Sequence, residues 1–233
     1  MESKNYILVD IISEVVDTMR QTNTIASSVE TSGNYLITTP NTLKNSEVVN
    51  IDGVDYIVNS VTVDSFNINA STGLDFTGKT WKALAPYYGH GHLLEVANTL
   101  TSKKDGIYSY KKYPLIVLIQ DYEVNKDTAN DAVFGEVSAR FAIVNLTKPE
   151  LKSSERYNEN FRTVLFPLYD DFINAINDSL RFVTQGETIV SHTQIERPYW
   201  GSHLTESKNI FNDFLDAIEL TGVDLKISSN INC

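Results

Sequence analysis

The stretch between residues 113 and 182 constrains this chain most. An unbroken apolar run, Tyr113-Pro114-Leu115-Ile116-Val117-Leu118-Ile119, has the length of one strand and predicts a strand over 113–120. A second strand is expected over 138–146, centred on Phe141-Ala142-Ile143-Val144. The intervening residues 121–131, rich in Asn, Asp, Lys and Thr, read as an exposed loop. A long helix follows, in which Tyr157, Phe161, Val164, Leu165, Leu168, Phe172, Ile176 and Leu180 recur every three or four positions as a core stripe. Pro167 lies inside that pattern and is expected to kink the helix or divide it, because it lacks an N–H and crowds the preceding turn.

Upstream, Leu8, Ile11, Ile12, Val15 and Met19 recur at helical spacing, with Ser3 as a candidate N-cap. Ile7, Val9 and Val16 widen that apolar surface beyond one stripe. From 34 to 82 the composition shifts to Val, Ile, Thr, Asn and Ser punctuated by turn residues, which reads as a small β unit. Its sharpest signal is Asp52-Gly53 between two β-prone runs, the composition of a tight hairpin with positive φ angles. Strands are expected over 60–69 and 74–76 as well. Residues 93–100 read as a short helix, followed by a polar connection in which Lys103, Lys104, Lys111 and Lys112 face solvent. Past Phe182 the pattern predicts a short strand over 188–192, then a last helix with Ile210, Phe211, Phe214, Leu215 and Ile218 on one stripe and Asp213, Asp216 and Glu219 off it. That helix is expected to end near Gly222, and the alternating Val223-Asp224-Leu225-Lys226-Ile227 to form an edge strand. The chain is thus expected to be α+β, with a mixed or mostly antiparallel sheet, packed helices and a small β-rich insertion near the N-terminus. Its divisions are an amphipathic helix and linker at 1–33, the β unit at 34–85 and an α+β core at 86–233.

A chain of 233 residues can bury a core without disulfides or metals, and its one cysteine, Cys233, allows no internal disulfide. The acidic and polar residues Asp10, Ser13, Glu14 and Asp17 interrupt the first apolar segment, so no signal peptide is expected. No window approaches the roughly 20 apolar residues of a membrane span. A net charge of −11 opposes adhesion to phosphate backbones and anionic membranes.

Three groups of residues invite chemical readings. Tyr87-Tyr88-Gly89-His90-Gly91-His92, with Glu95 three residues on, contains a His-x-His that could share a zinc ion on an extended chain, but no further ligand is evident. Arg197-Pro198-Tyr199-Trp200 concentrates aromatic rings and an arginine, a composition of interface hot spots and equally of a loop that caps a core. Asp170 and Asp171 are neighbours on a helix and point about 100° apart, so they read as a solvated face, not an acid–base pair. No phosphate-binding loop, nucleophile elbow or Cys/His zinc spacing occurs. These residues lead to a reading without catalysis, cofactor or metal.

Three stretches together resemble neck and tail proteins of tailed bacteriophages: residues 6–19, the Tyr113-Pro114-Leu115-Ile116-Val117-Leu118 strand, and Arg156-Tyr157-Asn158-Glu159-Asn160-Phe161-Arg162 leading into Leu165-Phe166-Pro167-Leu168-Tyr169. The pattern is similar to ring proteins of the tail-completion or tail-terminator type, including those of crAss-like gut phages, and covers mainly residues 93–228. The β-rich stretch 34–82 exceeds the minimal pattern of that family. The resemblance implies a virion protein assembled in the host cytoplasm. It would form a closed sixfold or twelvefold homo-oligomer, bind other neck and tail proteins, and let genomic DNA pass through its channel without sequence-specific binding. A closed ring needs two complementary faces, and the candidate subunit-interface residues are Leu8, Ile11, Val15, Tyr87, Tyr88, Arg197, Tyr199, Trp200, Leu225 and Ile227. The alternative is a carbohydrate- or host-surface-binding module that uses Tyr87, Tyr88, Tyr199 and Trp200 as stacking platforms.

Overall fold

The structure is a computed structural model that describes residues 8–102, 112–125, 133–182, 190–201, 211 and 213–228. In chain order its elements are α1 (Leu8–Met19), β1 (Thr22–Thr24), β2 (Ser27–Thr31), β3 (Asn34–Thr38), β4 (Val48–Ile51), β5 (Val54–Thr62), β6 (Ser65–Asn69), β7 (Thr80–Ala83), β8 (Tyr87–Gly91), α2 (Leu93–Ser102), β9 (Leu115–Asn125), β10 (Val133–Leu146), α3 (Ser153–Arg156), a π-helical segment (Tyr157–Leu165), α4 (Phe166–Asp178), β11 (Thr193–Arg197) and β12 (Leu215–Ser228). They form two units. One spans Arg20–Pro86, and the other is built from α1 and the elements from β8 onward.

The Arg20–Pro86 unit is a curled antiparallel sheet in the order β1-β7-β4-β5-β6-β3-β2. Its end strands β1 and β2 are separated in the chain only by Ile25 and Ala26. The Ile25 N–H bonds to the Lys79 carbonyl and the Ala26 N–H to that of Thr38, each at 2.9 Å, so one extended segment changes neighbours there and the sheet closes on itself. Closure removes the long open edge that such a sheet would otherwise expose. At β5 the pairing also changes hands, from β4 to β6, across a register shift between Val58 and Ser60. The interior is filled by Tyr35, Ile37, Phe66, Ile68, Phe76 and Trp81. Asp52 and Gly53, with φ of 51° and 82°, make the tight turn between β4 and β5 that Asp-Gly foretells. Two expectations are corrected. The β structure starts at Thr22, in residues read as a linker, and residues 74–76 lie outside any strand, the next one being β7.

In the other unit the sheet order is β11-β12-β10-β9-β8, antiparallel except for the parallel β8–β9 pair. The protein is therefore α+β, with mostly antiparallel sheets. Ile116 and Leu118 of β9, Ala139, Phe141 and Ile143 of β10, and Ile218 and Leu220 of β12 share one core with Ile11, Ile12 and Val15 of α1 and Phe172 and Ile176 of α4. Successive strand residues point to opposite faces. Leu115, Val117, Ala142, Val144, Leu215 and Ala217 therefore line the other face, and they too are buried. Burial on both faces is why β9 reads as a continuous apolar run.

The C-terminal expectation holds for a strand over 223–227 and fails for the helix before it and for the edge position. Residues 215–228 form one long strand, not a helix and then an edge strand, and β12 lies inside the sheet between β10 and β11. Leu220 pairs with Phe141 and Val223 with Ala139, so two β12 residues stand opposite Arg140. This bulge at Gly222 (φ 61°) changes the inward parity from Ile218 and Leu220 to Val223, Leu225 and Ile227. Phe211, Phe214, Leu215 and Ile218 match a helical period by coincidence, and Ile210 lies outside the described residues. β9 likewise continues to Asn125, into the first part of what reads as a loop, and of the strand expected over 188–192 residues 188 and 189 lie outside the described residues while 190–192 are not strand, the next strand being β11.

The long helix runs without a break from Ser153 to Asp178, with a π-wound middle and Pro167 in the first turn of α4, so Pro167 does not divide it, and the winding changes from π to α just before it. It stops before Leu180, which is 92% exposed, and Tyr157 is also exposed, so these two members of the predicted stripe leave the core. Arg156 and Asn160 are buried in their place. Residues 93–102 form the expected helix α2.

Candidate functional site

The largest concentration of buried polar chemistry lies where β10, β12 and the π segment meet. Ile143 pairs with Ile218 at the end of the apolar face, and two residues further along the same face Asn145 pairs with Asp216. Arg156 Nη1 donates to Asp216 Oδ1 at 2.8 Å and to Thr147 Oγ1 at 2.8 Å, while Nη2 donates to the carbonyls of Lys148 and Leu151. Asn160 Nδ2 donates to Asp216 Oδ2 at 2.9 Å, and Asn145 Nδ2 donates to Asn160 Oδ1 at 2.8 Å. The Tyr199 N–H donates to Asp216 Oδ1 at 3.1 Å, its ring covers the Arg156 guanidinium at 3.9 Å, and its hydroxyl donates to the Pro149 carbonyl. Both carboxylate oxygens and both terminal guanidinium nitrogens are engaged, and a planar ring closes the outer side. Such an arrangement fixes elements in place, since a buried charge needs its full set of partners.

Most of the expected interface residues serve the protomer itself. Leu8, Ile11, Val15, Leu225 and Ile227 are buried in the core of their unit, which corrects their assignment to subunit contacts. Tyr87 is buried, and Tyr88 is partly buried against the same core. Trp200 is also buried, stacked on Phe211 at 4.7 Å between ring centroids, and donates from Nε1 to Glu219 Oε1 at 2.7 Å. Tyr199 has a φ of 55° and one ring face occupied by Arg156. These four rings therefore do not form an exposed, coplanar stacking surface. Arg197 alone among the ten is exposed, on β11, where it pairs with Glu219 at 2.9 Å.

One of the two histidines, His92, belongs to a helix start. His92 precedes α2, its Nδ1 accepts the Leu94 N–H, and Glu95 turns back to accept the His92 N–H at 3.1 Å. Glu95 thus caps a helix start, the reciprocal geometry of a capping box. Among the described residues no three His, Cys, Asp or Glu side chains gather as metal ligands. Asp170 and Asp171 are exposed on α4, as their spacing predicts.

Lys112, expected to face solvent, is buried and pairs with Asp213 at 3.3 Å. Tyr113 donates to the same carboxylate at 3.0 Å, and burial together with the Asp213 charge pushes its phenol well above the ordinary range. Lys103, Lys104, Lys111 and Cys233 lie outside the described residues. The Arg156–Asp216 network itself escaped sequence reading. Its signal is a polar residue at an inward position of an alternating strand, Asp216 before Ile218 and Leu220, visible only once that segment is read as β.

Fold and site together define an α+β scaffold whose described ionic centre is internal and saturated. No protein family, no curated protein and no solved structure matches the chain. Among the described residues, no helix is long and apolar enough to cross a membrane.

Proposed function

We propose that the chain is a structural protein of the neck or tail of a tailed bacteriophage, a component of a closed ring that joins the portal side to the tail around the DNA channel. One observation carries this reading. The three stretches that resemble such proteins, scattered over more than 150 positions of sequence, contribute to a single core: Leu8 to Val16 of α1, Ile116 and Leu118 of β9, and Phe161, Leu165 and Leu168 of the long helix pack together. The β-rich excess over that pattern forms its own closed unit with its own core. A ring protomer decorated by a β unit accounts for both facts.

With the apolar helix faces spent on folding, the contacts between copies fall to other surfaces. Head-to-tail rings use two unlike faces, and the five-stranded sheet ends in two unlike strands, β8 and β11. Exposed apolar side chains stand at Leu146 at the end of β10, at Phe214 just before β12, and at Leu94 on α2. Within the β unit, Val29 and Leu36 are cross-strand partners exposed by 56% and 42%. The net charge of −11 favours passage of DNA over adhesion to it.

Native mass spectrometry and light scattering over a range of concentrations test the reading. A sixfold or twelvefold closed species is expected, with a central hole in negative stain. A strict monomer at every concentration, with a positive glycan screen, overturns it in favour of a binding module.

A further inference from the structure

The helix from Ser153 to Asp178 contains nine consecutive residues, Tyr157–Leu165, wound as π-helix. π winding is rare and occurs mostly as single turns at functional positions. Restraints act at both ends of it. At the C-terminal end, Pro167 has no N–H, and in α winding its ring would crowd the carbonyl four residues back, that of Thr163. In the wider winding the Phe166 N–H reaches the Phe161 carbonyl, five residues back, and the Thr163 hydroxyl donates to the Glu159 carbonyl. At the N-terminal end, Arg156 and Asn160 are both held on Asp216. Beyond Pro167, α4 is anchored through Leu168, Phe172, Ile173 and Ile176.

We propose that this helix is a two-state element whose π register is held jointly by Pro167 and by the grip of Asn160 on Asp216. Releasing both lets residues 157–165 rewind as α-helix. Because α4 is anchored, the turn is taken up at the other end. With Asn160 released from Asp216, the Arg156 guanidinium then leaves the Tyr199 ring. Tyr199 and Trp200 sit in a turn that Asp216 pins through the Tyr199 N–H, so helix winding is coupled to the position of the aromatic turn. The coupling runs through contiguous hydrogen bonds and one ring contact, the kind of network that can have two discrete arrangements. It stands independently of ring assembly.

Amide hydrogen exchange and NMR chemical shifts on the full chain test it with Pro167→Ala, Asn160→Leu and the double variant. Each single variant is expected to keep the π pattern. In the double variant the residues from 157 to 167 should acquire α-helical shifts. Their amides should gain about tenfold protection, as better-formed helix does, and the Trp200 indole resonance should move. Retention of the π pattern in the double variant overturns the proposal, as does rewinding that leaves the Trp200 resonance in place. If the double variant does not fold, deletion of the exposed Thr163 provides the second test, since it removes the surplus residue of the wide turn while sparing Asn160. A folded deletion variant with a regular α pattern supports the two-state reading, and an unfolded one overturns it.

Discussion

Arg156 and Asp216 form an ion pair at 2.8 Å with side-chain exposures of 3% and 0%, fastening the long helix to the centre of the sheet at the point where its apolar face ends. The pair is not isolated, because Asn160, Thr147 and the Tyr199 N–H complete it. Removing one member therefore strands several buried polar groups at once.

Asp216→Ala should destabilise the protein by about 3–5 kcal/mol, the cost of leaving a buried charge without its partner. Replacing Arg156 by Met and Asp216 by Leu together should cost much less than the sum of Arg156→Met and Asp216→Leu, because neither charge is then left unpaired. Urea unfolding of the four variants measures both numbers. Additive losses would mean that the two side chains do not depend on each other.

How legible this was from sequence differs by element. α1 and α2 follow from period and the first half of β9 from run length, and the β4–β5 turn follows from Asp-Gly, because in each case local chemistry and tertiary burial favour the same conformation. β12 was legible only from Val223 onward. Its apolar residues satisfy a helical spacing up to Ile218, and the bulge at Gly222 breaks the alternation that would have revealed one strand. The buried network was hidden for the same reason, since Asp216 counts as solvent-facing on a helix and as inward on a strand. Apart from Arg197, the proposed interface residues were apolar or aromatic, as expected of contacts, but cores and interfaces draw on the same residue types, and only the packing separates them.

Trp81→Ala should cost about 3–5 kcal/mol, the range for emptying a buried aromatic site. Trp81 is fully buried, packs edge-on to Phe66 at 5.4 Å and donates from Nε1 to Thr39 Oγ1. Thermal melts of the wild type and variant give the value. The Arg20–Pro86 unit has its own core, so the stacked Trp200–Phe211 pair should keep its near-ultraviolet circular dichroism below the transition. Loss of that signal in the folded variant would contradict independent cores.

Acid should weaken the β unit through two carboxylates. Hydrogen bonds from the Gly73 N–H, and then Tyr35 and the Gly33 N–H, hold Glu30 below its ordinary value of 4.5 against an opposing effect of burial. Bonds from the Thr77 N–H and hydroxyl, and from Ser28, hold Asp75 below 3.8. A carboxyl whose folded pKa is depressed stabilises the fold above its unfolded pKa, and that contribution is lost as pH falls through the folded value. Glu47 runs the other way, because burial raises its pKa and its protonation in acid relieves a strained charge. Glu30→Gln and Asp75→Asn should therefore flatten the loss of stability below about pH 4.5, whereas Glu47→Gln should steepen it relative to wild type. Urea midpoints between neutral and acid pH, followed by Trp81 fluorescence, give the comparison, and parallel curves for all variants would refute it.

Gly222 supplies the sharpest test of the C-terminal strand. A Cβ added there meets nothing within 4 Å, so space is not the constraint, but its φ is +61°. Left-handed backbone costs an ordinary L-residue roughly 1–2 kcal/mol and costs asparagine less. Gly222→Val should therefore destabilise by at least that amount, Gly222→Ala by about 1 kcal/mol, and Gly222→Asn least of the three. A helix ending at this position would give the same order, so stability alone does not separate the two structures. Hydrogen exchange does, because the bulge leaves Val223 paired with Ala139 and Leu220 with Phe141. In Gly222→Val the amides of both β12 and β10 around this point should lose protection together, whereas a helix end would leave β10 unchanged. Loss confined to residues near 222 would mean that β12 is not paired with β10 through the bulge.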